Sequence, residues 1–236
     1  MTDSLTKKAN IVAIDTATEA CSVALLCAGE VRARYQVAAK IHAKILLPML
    51  NELMAEAQLS PQQLDAVAFG RGPGGFTGVR IGTAAAQAIA LGADIPAAPV
   101  SNLAAIAARA HRDHGDEKVA VAIDARMGEV YWAAYQIENI EPELIGSEVV
   151  CPPQNVAQLD SEWVAAGTGW ATYSEALTAV SQARQKDTMT QLPHAVDILN
   201  IGAEMIRQGR GVSAENALPV YLRDNVARTE EERKKS

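Results

Sequence analysis

The chain has 236 residues, 49% of them hydrophobic and 21% charged, the composition of a water-soluble globular protein rather than a disordered, fibrous or membrane-embedded one. A formal net charge of −7 and a pI near 5.2 leave no basic footprint for gripping a phosphate backbone unaided. The longest apolar runs, such as Thr83 to Ala93, are Ala-rich and shorter than the ~18–20 residues of a membrane span, and Met1 to Asn10 lacks the apolar run of a signal peptide. A cytoplasmic protein without membrane association is expected.

In chain order, Ile11–Ile14, Cys21–Cys27 and Val31–Val37 read as strands, with Ala28-Gly29-Glu30 as the turn between the last two, so the chain opens as a three-strand meander. From Ile41 to Ala57 the apolar residues Ile41, Ile45, Leu46, Met49, Leu50, Leu53, Met54 and Ala57 recur at three- and four-residue steps. This spacing predicts an amphipathic helix, with Pro48 inside it as a source of bending. Ser60-Pro61 opens a short turn. Ala66–Phe69 follows as a strand, then come a glycine-rich loop, an Ala-rich helix from Phe76 to Leu91, a break at Pro96–Pro99 and a helix from Asn102 to His111.

From Lys118 the order starts again. Val119–Ile123 ends in Asp124 just as Ile11–Ile14 ends in Asp15, and strands are expected at Val130–Ile137 and Glu143–Val150. A helix entered at Pro152-Pro153, a strand around Trp163–Ala166, a Gly167-Thr168-Gly169 loop, a helix near Ser174–Ser181 and an amphipathic helix from His194 to Gln208 complete the chain. Two copies of strand-strand-strand-helix-strand-helix predict an α/β protein of two lobes, the duplicated order of the actin-like, sugar-kinase and Hsp70-type ATPase fold (ASKHA). The polar stretch Arg112–Glu117 suits a linker, giving lobes 1–112 and 113–236, with the C-terminal segment expected to return to the first lobe. Cys21, Cys27 and Cys151, odd in number and set in apolar runs, predict reduced, buried thiols rather than a disulfide or zinc site.

The strongest local feature is the run Gly70-Arg71-Gly72-Pro73-Gly74-Gly75-Phe76-Thr77-Gly78-Val79-Arg80-Ile81-Gly82, between a strand and a helix. Such a loop can offer backbone N–H groups to an anion, or its glycines can let the helix approach a neighbour closely. It is a poor dinucleotide site, because Pro73 stiffens the turn and a meander precedes it, and no Lys-Ser or Lys-Thr follows to make a Walker A loop. Asp15 can likewise hold a metal-bound phosphate through water or cap the turn after its strand; its counterpart Asp124 has no hydroxyl beside it. No second histidine stands three or four residues from His42, His111 and His114 read as surface residues at a polar helix end, and no G-x-S-x-G elbow occurs.

The run from Gly72 to Gly82 resembles the G-P-G-S-F-T-G-x-R-x-G signature of the TsaB (YeaZ) family, with Gly75 in place of the usual serine. The opening strand with Asp15 and Thr16, the segment Ile41-His42-Ala43-Lys44-Ile45-Leu46-Leu47-Pro48, and Pro219-Val220-Tyr221-Leu222-Arg223 near the end resemble the family in the same order. The resemblance implies a non-catalytic subunit of the complex that makes N6-threonylcarbamoyladenosine at adenosine 37 of tRNA. Such a subunit would bind the catalytic relative TsaD, join the ATPase TsaE, depend on TsaC upstream, and pair with itself when TsaD is absent, with tRNA reached only through the complex. TsaD carries an H-x-x-x-H metal pair, which positions 42 and 46, His and Leu, do not reproduce.

The two first-lobe helices are rich in small or flexible apolar residues, which suit either their own sheet or a partner helix. The implied partner interface comprises His42, Ile45, Leu46, Met49, Leu53, Phe76, Arg80, Thr83, Ala84, Gln87 and Ala88. No catalytic or metal-binding residue is expected and no cofactor is required. Nucleotide contact, ATP or ADP near the partner interface, is left open for Asp15, Thr16, Gly72, Gly74 and Gly75. The competing readings are an independent ATP-dependent kinase or ATPase of the same fold and, behind it, a peptidase.

Overall fold

The computed structural model describes residues 9–187 and 189–223; most of the polar opening stretch and the chain beyond Arg223 lie outside the described residues. β1 (Ile11–Asp15), β2 (Ala20–Cys27) and β3 (Glu30–Val37) form the antiparallel meander, and β4 (Ala66–Gly70) and β5 (Ala97–Val100) run parallel to β1, giving the order β3-β2-β1-β4-β5. The second sheet repeats the plan. β6 (Lys118–Arg126), β7 (Glu129–Gln136) and β8 (Glu143–Cys151) form another meander and β9 (Val164–Ala166) lies parallel to β6, in the order β8-β7-β6-β9. A meander whose first strand is then joined by a parallel strand, made twice, is the duplicated two-lobed α/β plan of the actin-like, sugar-kinase and Hsp70-type ATPases.

Five layers follow from the alternation of side chains along the strands. On the outer face of the first sheet, Val12, Ile14, Val67 and Phe69 pack under α1 (His42–Glu56) and α2 (Phe76–Ala93), which bury Leu46, Leu50, Leu53, Ala86 and Ala90 there. The inner face, with Ala13, Ala24, Ala66 and Ala68, carries α5 (Ala195–Arg207), and α3 (Asn102–His114) packs beside α5. α3 packs on α5 and on Val119, Val121 and Tyr135 of the second sheet, so one apolar core runs through both lobes. α4 (Gly169–Ser181) closes the far side, with Trp170 and Leu177 against Ala120, Ala122 and Trp132.

Several elements differ from the sequence reading. The Pro96–Pro99 break contains β5, an edge strand in which Ala97 exchanges backbone hydrogen bonds of 2.8 Å with Val212 while Pro99, lacking an N–H, sits where the edge requires none. The helix expected at Pro152-Pro153 is a single 3-10 turn, Pro153–Asn155. α4 starts at Gly169 rather than near Ser174 and bends at Tyr173 (φ −125, ψ 30). The polar stretch from Arg112 is not a free linker, because α3 runs on through it to His114 and ends on the left-handed Gly115. Cys21 is buried, whereas Cys27 and Cys151 are only half-buried, at the ends of their strands; all three are free thiols. Among the described residues no helix is long and apolar enough to cross a membrane.

Candidate functional site

A cleft of ≈ 1080 Å³ opens between the sheets, lined by Thr16–Glu19, Gly74–Val79, Asp124–Arg126, Thr168 and Val220–Arg223. The turns that follow β1 and β6 face it, and they determine what the cleft can hold.

In the first turn the polar groups point inward. Asp15 is fully buried beneath Gly70, where no Cβ could fit against the carboxylate. Its Oδ1 accepts 2.6 Å from Nδ2 of Asn102, and Asn102 Oδ1 accepts from the Gly72 N–H at 2.8 Å. The backbone N–H of Asn102 also donates to Gly72 O at 3.0 Å, so this residue brackets the Gly72 peptide from both sides. Burial pushes the Asp15 carboxyl up from 3.8 to about 6, against the hydrogen bond from Asn102 that favours its charged form, and Oδ2 has no partner. Thr16 donates its hydroxyl to Gly78 O at 2.7 Å, and the Gly75 N–H donates to Ala17 O at 2.7 Å. A Cβ at Gly78 would be driven into the Thr16 carbonyl, so the glycines bring the amino end of α2 onto this turn.

Of the residues considered for nucleotide contact, Asp15, Thr16 and Gly72 are buried, with Asp15 Oδ1, the Thr16 hydroxyl and the Gly72 peptide groups bonded inside the first lobe, while Thr16, Gly74 and Gly75 line the cleft. The second turn is more open: Asp124 pairs with Arg126 at 2.9 Å, and its backbone N–H donates to Thr168 Oγ1 at 3.2 Å.

The residues considered for a partner interface divide by helix face. Phe76, Arg80, Ala84 and Ala88 are exposed on α2 at a four-residue period, continued by Leu91, and Ile45 and Met49 are half-buried on α1. Leu46, Leu53 and Thr83 are 2%, 0% and 4% exposed and belong to the chain's own interior, as does His42, whose Nε2 has no partner. Gln87 is turned away from the stripe and donates to Ala217 O at 3.0 Å. The correction has one cause: apolar residues cover both faces of these helices, and periodicity alone does not say which face meets the sheet. On α1, Ala43 and Leu47 are exposed apolar residues that were not among those considered.

Two contributors were not singled out from sequence. Asn102 holds the glycine loop from 30 residues away, at the start of α3 where the Ser101 side chain caps the helix. Tyr221, noted as part of a motif, accepts a 2.9 Å hydrogen bond from Arg80 Nε and lies 5.8 Å from the Phe76 ring, with the Arg80 guanidinium 3.7 Å over that ring. His111 and His114 are exposed, and among the described residues no group of three or more His, Cys, Asp or Glu is placed to hold a metal.

A family model described as "TsaD: tRNA N6-adenosine threonylcarbamoyltransferase" matches residues 35–231, through both lobes. The tRNA threonylcarbamoyladenosine biosynthesis protein TsaB of Escherichia coli (strain K12) is 46% identical over 222 residues, covering 92% of this chain and 96% of that protein. The chain belongs to the TsaB family. The TsaB protein of Haemophilus influenzae is 41% identical over 226 residues, 92% of this chain and 94% of its own. The solved structure of YeaZ from Pseudomonas aeruginosa is 47% identical and superposes with a TM-score of 0.84, covering 91% of this chain and 100% of that one. The fold is thus shared with that solved structure over most of the chain.

Proposed function

We propose that this chain is a non-catalytic assembly subunit in the biosynthesis of N6-threonylcarbamoyladenosine in tRNA. It docks the catalytic chain TsaD through the outer faces of α1 and α2, works with the ATPase TsaE downstream of TsaC, and pairs with a second copy of itself when TsaD is absent. tRNA meets it only within the complex, in keeping with its net charge of −7.

The observation that carries this reading is the outward stripe Phe76, Arg80, Ala84, Ala88 and Leu91 on α2, beside Ala43 and Leu47 on α1, with Phe76, Leu47 and Leu91 exposed by 53%, 53% and 77%. Apolar surface of this kind is stabilised by association. Alanines at its centre let a partner helix approach to about 8 Å between axes, the close end of helix packing. A non-catalytic role is supported by the use of Asp15 and Thr16 inside the first lobe, where they anchor the loop that leads into α2. The names of the relatives support the pathway.

Mixing the purified chain with TsaD and measuring size and heat of binding tests the reading. It predicts a stoichiometric complex and tRNA modification that depends on the chain. No complex, with modification running equally well without the chain, rules it out. Steady ATP turnover by the isolated chain, lost in Asp15→Ala, would instead favour an independent ATPase.

A further inference from the structure

The lobes are joined by a shared apolar core, by a polar group in which Glu148 pairs with Arg71 at 3.6 Å and accepts from the Ser101 and Tyr135 hydroxyls, and by the C-terminal segment. On one side α3 and α5 share a continuous apolar core with both sheets. On the other side the cleft is open, and apart from an exposed ion pair of 3.9 Å between Arg126 and Glu19, its mouth is spanned by residues 219–223.

That segment is fastened at both ends. At the first lobe the Val220 N–H donates to Arg71 O at 2.8 Å, and Tyr221 joins Phe76 and Arg80 at the amino end of the exposed α2 stripe. At the second lobe Arg223, its side chain only 18% exposed, pairs with Glu129 and donates to Ala125 O at 3.2 Å. The turn it grips holds three successive left-handed residues, Arg126 (φ 62), Met127 (φ 57) and Gly128 (φ 79). Two of these are L-residues in a conformation they adopt at a cost, offset by the β6–β7 pairing and by the Arg126 N–H bond to Asp124 Oδ1 at 2.8 Å, and Arg223 adds a hold on the turn from outside the hairpin.

We propose that residues 219–223 are a clasp through which docking on the α1/α2 face is transmitted to the β6–β7 turn and the width of the cleft. The proposal rests on the docking reading above for its partner. Tyr221 is 44% exposed beside Phe76 at 53%, so a chain that covers the Phe76 end of the stripe also covers the clasp and restricts it. Restricting one end of a short tether restricts the other, and by linkage a ligand that pulls Arg223 from the second lobe weakens docking by the same factor.

Hydrogen–deuterium exchange of the full chain, below and above its self-association midpoint, tests this. The clasp predicts that association slows exchange at residues 125–130, about tenfold, as well as in α1 and α2. Arg223→Ala should keep the slowing in α1 and α2 and abolish it at 125–130. Tyr221→Ala in the dilute monomer should speed exchange at 125–130 severalfold, although the hydrogen bond and ring contact it removes are to α2, and Tyr221→Phe should do so less. Unchanged exchange at 125–130 in monomeric Tyr221→Ala overturns the clasp, whether or not the chain associates. Failure to self-associate or to bind TsaD, with Tyr221→Ala still accelerating that turn, would instead sink the docking reading and leave the mechanical link supported.

Discussion

On the outer side of the first sheet, α2 turns Phe76, Arg80, Ala84, Ala88 and Leu91 to solvent and α1 adds Ala43 and Leu47; on the outer side of the second sheet, α4 turns out Thr172, Glu175 and Thr178 among its alanines. Both layers bury a proper inner stripe, Leu46, Leu50 and Leu53 in one and Trp170 and Leu177 in the other. The folding requirement is therefore met on both sides, and the surplus apolar surface of the first lobe is not explained by folding. The turns that face the cleft differ in a related way. In the first lobe Asp15 and Thr16 hold the loop that sets α2 in place, whereas in the second Asp124 is paired with Arg126, 76% exposed. One frame occurs twice, and in the first copy Asp15 and Thr16 serve to hold the entry of a helix that faces outward.

The contrast can be broken most sharply at the helix entries. Gly78→Ala sets a Cβ against the Thr16 carbonyl, while at Gly169, the matching entry, the nearest atoms to a Cβ belong to Ala122 at 3.0 Å. Gly78→Ala should cost about 3 kcal/mol or more and Gly169→Ala about 1 kcal/mol in urea unfolding; equal costs would mean the first entry is no tighter than the second.

Asp15→Asn probes the buried acid. Burial raises the Asp15 carboxyl from 3.8 to about 6, so its contribution to stability is fully present below the lower value and lost as pH rises through the higher. The variant should therefore gain on the unaltered chain by up to about 3 kcal/mol between roughly pH 4 and pH 7. A pH-independent difference would show that Asp15 is not desolvated in the fold.

Ala88→Arg on the α2 stripe should weaken association with TsaD about a hundredfold, roughly 2.7 kcal/mol, by calorimetry, with the melting temperature little changed. Thr178→Arg on α4 should leave the affinity within about twofold. Equal losses would put the interface elsewhere. The smallest effect is expected from Gly75→Ser. Gly75 is the N-cap of α2 with φ −64 and ψ 124, no side chain caps that helix, and a Cβ there meets only Ala17 O at 3.6 Å. Serine should fit and add a few tenths of a kcal/mol by capping.

The meanders, the long helices and the repeat between Asp15 and Asp124 were legible because strand alternation and helix period are local signals. β5 was not, since Pro96 and Pro99 read as breakers until the edge position removes the need for an N–H at Pro99, and the pair Pro152-Pro153 suggested a helix where the chain makes one turn. The site was legible in its parts and not in its wiring. Asp15 stood out at a strand end, but its burial depends on Gly70 and on Asn102, 87 residues away. Leu46, Leu53 and Thr83 were assigned to a partner because an all-round apolar helix does not declare its inner face.

The central claim is that the α1/α2 face docks another chain of the same fold. Sedimentation velocity of the chain alone, with TsaD, and with TsaD and Ala88→Arg tests it directly. The account predicts a self-associated species that gives way to a one-to-one complex when TsaD is added, and loss of that complex in the variant while its fold is kept. A chain that stays monomeric in the presence of TsaD, or an Ala88→Arg variant that binds with unchanged affinity, would contradict it.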